Sequence, residues 1–130
     1  MAKFEKFEDI EAWKIGRQIV NEIYDLTSFG KFSIDYVLRD QMRRAAISIV
    51  SNIAEGFERE GNKEFIQFLF IAKASCGEIR SQLYIALDQN YISKEQFDKL
   101  FEKLLQVSRT TSGLIKYLKN SNLRGNKYKS

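Results

Sequence analysis

The chain has no histidine, no proline and a single cysteine. Without histidine there is no serine–histidine triad, no Glu-x-x-His di-iron motif and none of the commonest general bases. One cysteine excludes an intramolecular disulfide and a paired-cysteine metal site. Cys76 sits in an apolar stretch that reads as core packing, and a reducing compartment fits it. Proline ends helices and punctuates loop-rich folds, so its absence favours several long uninterrupted helices. Long apolar runs are missing too. None approaches the roughly 20 residues of a membrane span, so no membrane partner is expected. Glu5, Glu8 and Asp9 fall where a secretory leader needs its apolar centre, so no such leader is expected and the location implied is cytoplasmic.

What is present is a 130-residue chain, 44% hydrophobic and 29% charged, which suits one domain with its own core. The net charge of +4 is unevenly spread. Lys116, Lys119, Arg124, Lys127 and Lys129 occur from residue 116 onward with no acid among them, and the preceding residues carry 16 basic against 17 acidic groups. Basicity therefore belongs to the C-terminal segment.

The apolar spacing predicts four helices. The first spans about Asp9 to Ser28, with Asp9 as N-cap and a seam through Ile10, Trp13, Arg17, Val20, Tyr24 and Thr27 that Ile19, Ile23 and Leu26 widen. Gly30 breaks the pattern in a 29–33 link, and Ser33 is positioned to cap the next helix, about Ile34 to Phe57. Gly56 and Gly61 bracket a turn. Asn62 is the expected N-cap of a third helix reaching about Gln89, with Asn90 as its left-handed end. Ser93 and Gln96 form a capping box for the fourth. Its seam reads Phe97, Phe101, Leu104, Ser108, Thr111, Ile115 and Leu118, an alternation suited to left-handed bundle packing. Short links between long helices predict an all-α, antiparallel up-and-down four-helix bundle over residues 1–120. A basic, aperiodic tail over 121–130 is expected to be disordered. The helix middles are rich in small residues (Ala45, Ala46, Ala72, Ser75, Gly77, Ser112, Gly113), which suit a tight waist or a close contact between subunits.

No chemistry-bearing constellation emerges, so the expectation is a non-enzymatic protein without cofactor or metal. Gly56 and Gly61 have phosphate-loop spacing, but Asn62-Lys63-Glu64 follows where Lys-Ser or Lys-Thr is needed. Glu55 and Glu78 stand out in apolar surroundings. The favoured reading is structural: one or both pair with Arg43, Arg44 or Arg80, Arg44 burying its stem beside Ala45.

Leu38 to Ile49 (LRDQMRRAAISI), followed by Asn52 to Gly56 (NIAEG), resembles the signature of the 23S rRNA intervening-sequence proteins. The likeness continues through Lys63 to Phe65, Phe68-Leu69, Ile71 to Ser75, Glu78 and Asn90 to Ile92. Phe7 to Ile10, Trp13, Ile23-Tyr24 and Thr27 match the family's first helix. Gly30 departs from it, standing where the family often has proline. The resemblance implies a four-helix bundle assembling as a homo-oligomer, typically a ring-shaped pentamer. It supplies no catalytic residues. A related branch, the accessory proteins of diversity-generating retroelements, binds nucleic acid and a reverse transcriptase.

Two functions follow as expectations. The first is a homo-oligomer contacting structured RNA or DNA through Arg39 and Arg43, one turn apart on the second helix, and through Lys116, Lys119, Arg124, Lys127 and Lys129, with Tyr128 placed to stack on a base. The second is a protein-binding scaffold or adaptor without a nucleic-acid role, such as an accessory protein acting mainly on a reverse transcriptase, using apolar surface at Phe32, Tyr36, Ile66 and Phe70.

Overall fold

The computed structural model describes residues 4–121. Its regular elements are a 3₁₀ turn, Phe7–Asp9, then α1 (Glu11–Leu26), α2 (Gly30–Ile34), α3 (Tyr36–Glu58), α4 (Asn62–Asp88) and α5 (Lys94–Ser121), with no strand among the described residues. Five α-helices thus replace the expected four. The extra one is short and occupies the link expected to be irregular. Gly30 takes a left-handed φ of +59°, which glycine adopts without steric cost, and the chain turns straight into α2. Phe32 on α2 is buried and stacks on Tyr91 with ring centres 4.9 Å apart.

Several ends differ from the sequence reading in instructive ways. The Asp9 carboxylate accepts from the Glu5 amide at 3.2 Å, so it serves the turn before α1, and buried Ile10 takes the cap position instead. Ser33 donates back to the Gly30 carbonyl, while Asp35 caps α3 by accepting from the Leu38 amide at 3.1 Å. Gly61, at φ 100°, precedes α4, and Asn62 lies inside the helix, buried, donating to the Leu118 carbonyl at 3.1 Å. Asn90 does end α4 in the left-handed region, at φ 62°. The Tyr91 amide reaches the Ala86 carbonyl and the Asn90 amide the Leu87 carbonyl, closing a Schellman motif. Ser93 and Gln96 exchange side-chain-to-amide bonds of 3.0 and 2.9 Å, the expected capping box.

The buried stripe of α1 is Ala12, Ile15, Gly16, Ile19 and Ile23, while Arg17 and Tyr24 face solvent and Trp13 and Val20 are half-buried. The stripe is rotated from the expected one because the close contact is made by small residues. A Cβ on Gly16 would lie 3.0 Å from Val50 and 3.1 Å from Ile49. On α5 the buried residues are Phe97, Leu100, Leu104, Val107, Thr111, Leu114, Ile115, Leu118 and Ser121. They include Phe97, Leu104, Thr111, Ile115 and Leu118 of the expected line, while the aliphatic Leu100, Val107 and Leu114 take the interior ahead of half-buried Phe101 and Ser108. Each such side chain, fully buried, contributes about 1.5–3 kcal/mol.

α1 packs on α3 and α5, α3 on α4, and α4 on α5, a closed cycle of contacts with α2 lying against α3. Arg43 reaches Thr27 and Tyr91 reaches Asp35, so the end of α1, the start of α3 and the α4–α5 turn share one end of the molecule. The Asn62–Leu118 bond joins the start of α4 to the end of α5 at the other. At the waist, Ser75 donates to Ser48 at 2.9 Å across α3 and α4.

Candidate nucleic-acid interface

The two arginines expected on a binding face are both engaged within the fold. Arg39 donates to the Ser33 carbonyl at 2.9 Å, pairs with Asp40 at 2.8 Å and lies over the Tyr36 ring, 4.7 Å from its centre. Arg43 donates to Thr27 Oγ1 at 2.8 Å and lies over the Tyr24 ring at 4.5 Å. It also reaches the Thr27 carbonyl at 3.4 Å, where a cation meets the negative end of the α1 dipole. Both side chains fasten the α1–α2–α3 link.

The expected ion pair among Arg44, Glu55 and Glu78 is not formed. Arg44 is exposed and makes no ion pair among the described residues; it borders a shallow groove of about 350 Å³ with Tyr24, Asp40, Arg43 and Ile47. Glu55 pairs with Arg59 at 2.8 Å, one turn on. Arg44 is eleven residues away along the same helix, about 16 Å at 1.5 Å per residue, and cannot compete. Glu78 is exposed and accepts from Gln82 at 3.3 Å. The Glu55–Arg59 pair is open to solvent on both sides and contributes little.

Lys116 and Lys119 are exposed on the last turns of α5, at the far end of the molecule from Arg39 and Arg43. The cations grouped by the sequence reading are therefore split between two ends. Arg124, Lys127, Lys129 and Tyr128, and with them the tail, lie outside the described residues. Lys119 places its ammonium 5.6 Å from the centre of the Phe70 ring. That contact joins α5 to an α4 face the sequence reading did not single out, bearing Lys73 and Arg80. The signal was available: Phe70, Gly77 and Tyr84 recur every seven residues, but a stripe search looks for buried apolar residues and passes over it.

Cys76 is fully buried and burial pushes its thiol up to about 12, the opposite of a poised nucleophile. No cluster of three or more carboxylates and cysteines among them could hold a metal ion. A cleft of about 510 Å³ lies beside α2 and is bordered by Asp25, Phe29, Lys31, Tyr91 and Gln96. No helix among the described residues is long and apolar enough to cross a membrane.

Comparison with known proteins gives two positive results. The family model described as 23S rRNA-intervening sequence protein matches residues 8–113. A crystal structure of a protein of unknown function from the S23 ribosomal protein family of Bacteroides thetaiotaomicron is similar, with a TM-score of 0.75 and 21% identity over 81% of this chain and 95% of that one. At that identity it speaks for the fold alone. The search of curated proteins gave no match.

Proposed function

The chain belongs to the 23S rRNA-intervening sequence protein family, and on that premise we propose that it is a non-enzymatic, homo-oligomeric protein that associates with structured RNA. The protomer is read as an antiparallel up-and-down four-helix bundle, a description that the cycle of helix contacts supports. The ring of five implied by the resemblance would repeat each basic surface and turn weak single contacts into avidity. Its proposed setting is the cytoplasm. The observation that carries the reading is the end of α5: Lys116 and Lys119 are exposed, neither makes an ion pair among the described residues, and no acid follows them in the sequence. Elsewhere on the same helix, Lys94, Lys103 and Arg109 are paired with Asp98, Glu22 and Glu102, leaving Lys99 as the other exposed cation without an ion pair among the described residues.

The test is binding of labelled 23S rRNA fragments to the full chain across a salt series. Affinity should fall steeply with salt, and removal of residues 122–130, or Lys116→Gln with Lys119→Gln, should weaken it. A truncation beginning at Lys116 is unsuitable, because Leu118 and Ser121 are buried. Absent or salt-insensitive binding would refute the reading. A second reading, a protein-binding scaffold, is favoured by apolar surface around α2: Phe29, Ile34, Tyr36 and Val37 are all exposed. Phe32, which the sequence placed in that surface, is instead buried.

A further inference from the structure

We infer that the joint face of α4 and α5 is a binding strip for one unpaired nucleic-acid strand. The inference rests on the proposed nucleic-acid role and gives it a location and a ligand class. Phe70, Gly77 and Tyr84 are spaced by seven and share one line on α4. That line faces α5. Lys119 lies over Phe70, and Tyr84 meets Phe97 and Phe101 edge-on at 5.0 and 5.9 Å. Phe70 and Tyr84 remain 47% and 53% exposed. From one to the other the strip measures about 21 Å at 1.5 Å per residue. That is room for at most about six nucleotides at 3.4 Å each.

Between the two rings the strip is cationic. Lys73 and Arg80 flank the Gly77 line on its α5 side. The Arg80 guanidinium folds back over the glycine, with Nη2 3.7 Å from where a Gly77 Cβ would be. Its Nη1 is enclosed without a hydrogen-bond partner. Lys116 and Lys119 line the α5 side, with Ser112 one turn before Lys116. None of these four cations is ion-paired among the described residues, in contrast to the neutralised Lys94, Lys103 and Arg109. Glu78 is turned about 100° away from Gly77 around the helix and is held by Gln82, while Asp88 lies one turn beyond Tyr84, past the end of the strip. Cations alone would suit any polyanion. The two exposed rings select an unpaired strand, because a duplex keeps its base faces stacked inside, whereas a splayed base can lie on an aromatic side chain and gain about five- to a hundred-fold in affinity.

The experiment is fluorescence anisotropy of the full chain with a labelled twelve-nucleotide oligouridine and with a labelled RNA duplex of equal length, in parallel with the rRNA-fragment titration. The single strand should bind more tightly than the duplex. Phe70→Ala and Tyr84→Ala should each weaken it by about five- to a hundred-fold while leaving the duplex nearly unchanged, and Tyr84→Phe should restore it. Lys73→Gln and Lys116→Gln should weaken both ligands and each lower the salt slope by about one. Circular dichroism checks folding; if Phe70→Ala unfolds the chain, Phe70→Leu keeps the packing and removes the stacking surface. Equal losses for duplex and single strand overturn the inference. So does unchanged single-strand binding with a reduced mass by light scattering, which makes the face a contact between protein subunits. If rRNA fragments bind with steep salt dependence while all strip variants bind like the parent, the strip falls and the proposed function stands. If the parent binds no RNA at all, both fall.

Discussion

Cys76 sits on α4 with no exposed surface, and its thiol is pushed up from 9.0 to about 12 by burial, with the nearby Arg80 guanidinium pulling weakly the other way. The Tyr91 hydroxyl is raised as well, chiefly because it donates to the Asp35 carboxylate at 2.8 Å and would have to give up that bond on ionising. Both groups are neutral in the folded and unfolded chain below about pH 8, so stability there is indifferent to them. Between about pH 9 and pH 12 the unfolded thiol ionises while the folded one does not, and folding stability must fall, by up to about 1.4 kcal/mol per pH unit from the thiol. Urea unfolding at pH 8, 10 and 11 should show this decline, and Cys76→Ala should flatten it. An identical decline in the variant would place the loss in other groups.

Where glycines let helices meet, Gly56, near the end of α3, is packed more closely than Gly16. A Cβ there would lie 2.7 Å from Phe68 Cβ and 3.0 Å from Phe65 Cδ1. Gly56→Ala should therefore cost about 1–3 kcal/mol through overpacking. Gly113 lies within α5, exposed, with nothing within 4 Å of its missing Cβ. There alanine should stabilise by about 0.5–1 kcal/mol, because glycine is a poor helix former. Chemical denaturation of both variants checks the pair, and the prediction fails if their effects share a sign. The same contrast explains what could be read in advance. The capping box and the Asn90 terminus were legible because they depend on local spacing and local bonding. On α1, Ile10, Ile19, Ile23 and Thr27 were legible, but Ala12, Ile15 and Gly16 were missed and Arg17 and Tyr24 wrongly included, because part of that face is set by Gly16, whose contribution is the side chain it lacks. Most of the α5 line was legible, but Leu100, Val107 and Leu114 were missed because two interleaved rows were equally periodic, and only the partner helices choose between them. The role of Arg39 depends on a short helix over Gly30–Ile34 whose residues carry no stripe of their own, and that of Arg43 on where the end of α1 comes to lie.

At the scale of the whole molecule, polar and apolar surface are unevenly placed. Val37, Phe29, Ile34 and Tyr36 are 77%, 73%, 65% and 60% exposed, all around α2 and the start of α3. Clustered apolar exposure of this kind is what a subunit contact covers, and each residue covered contributes on the order of 1–2 kcal/mol. The cluster lies at the opposite end from Lys116 and Lys119, so assembly through it leaves the basic end open to ligand. Light scattering at micromolar concentration should give a mass that is a multiple of the 15.2 kDa protomer. Val37→Lys should lower that mass without lowering helicity, because the side chain already faces solvent in the protomer and a charge there costs stability only where another subunit would cover it. A parent that is strictly monomeric rejects the oligomer. An oligomeric parent whose Val37→Lys variant keeps the same mass moves the subunit contact away from this end.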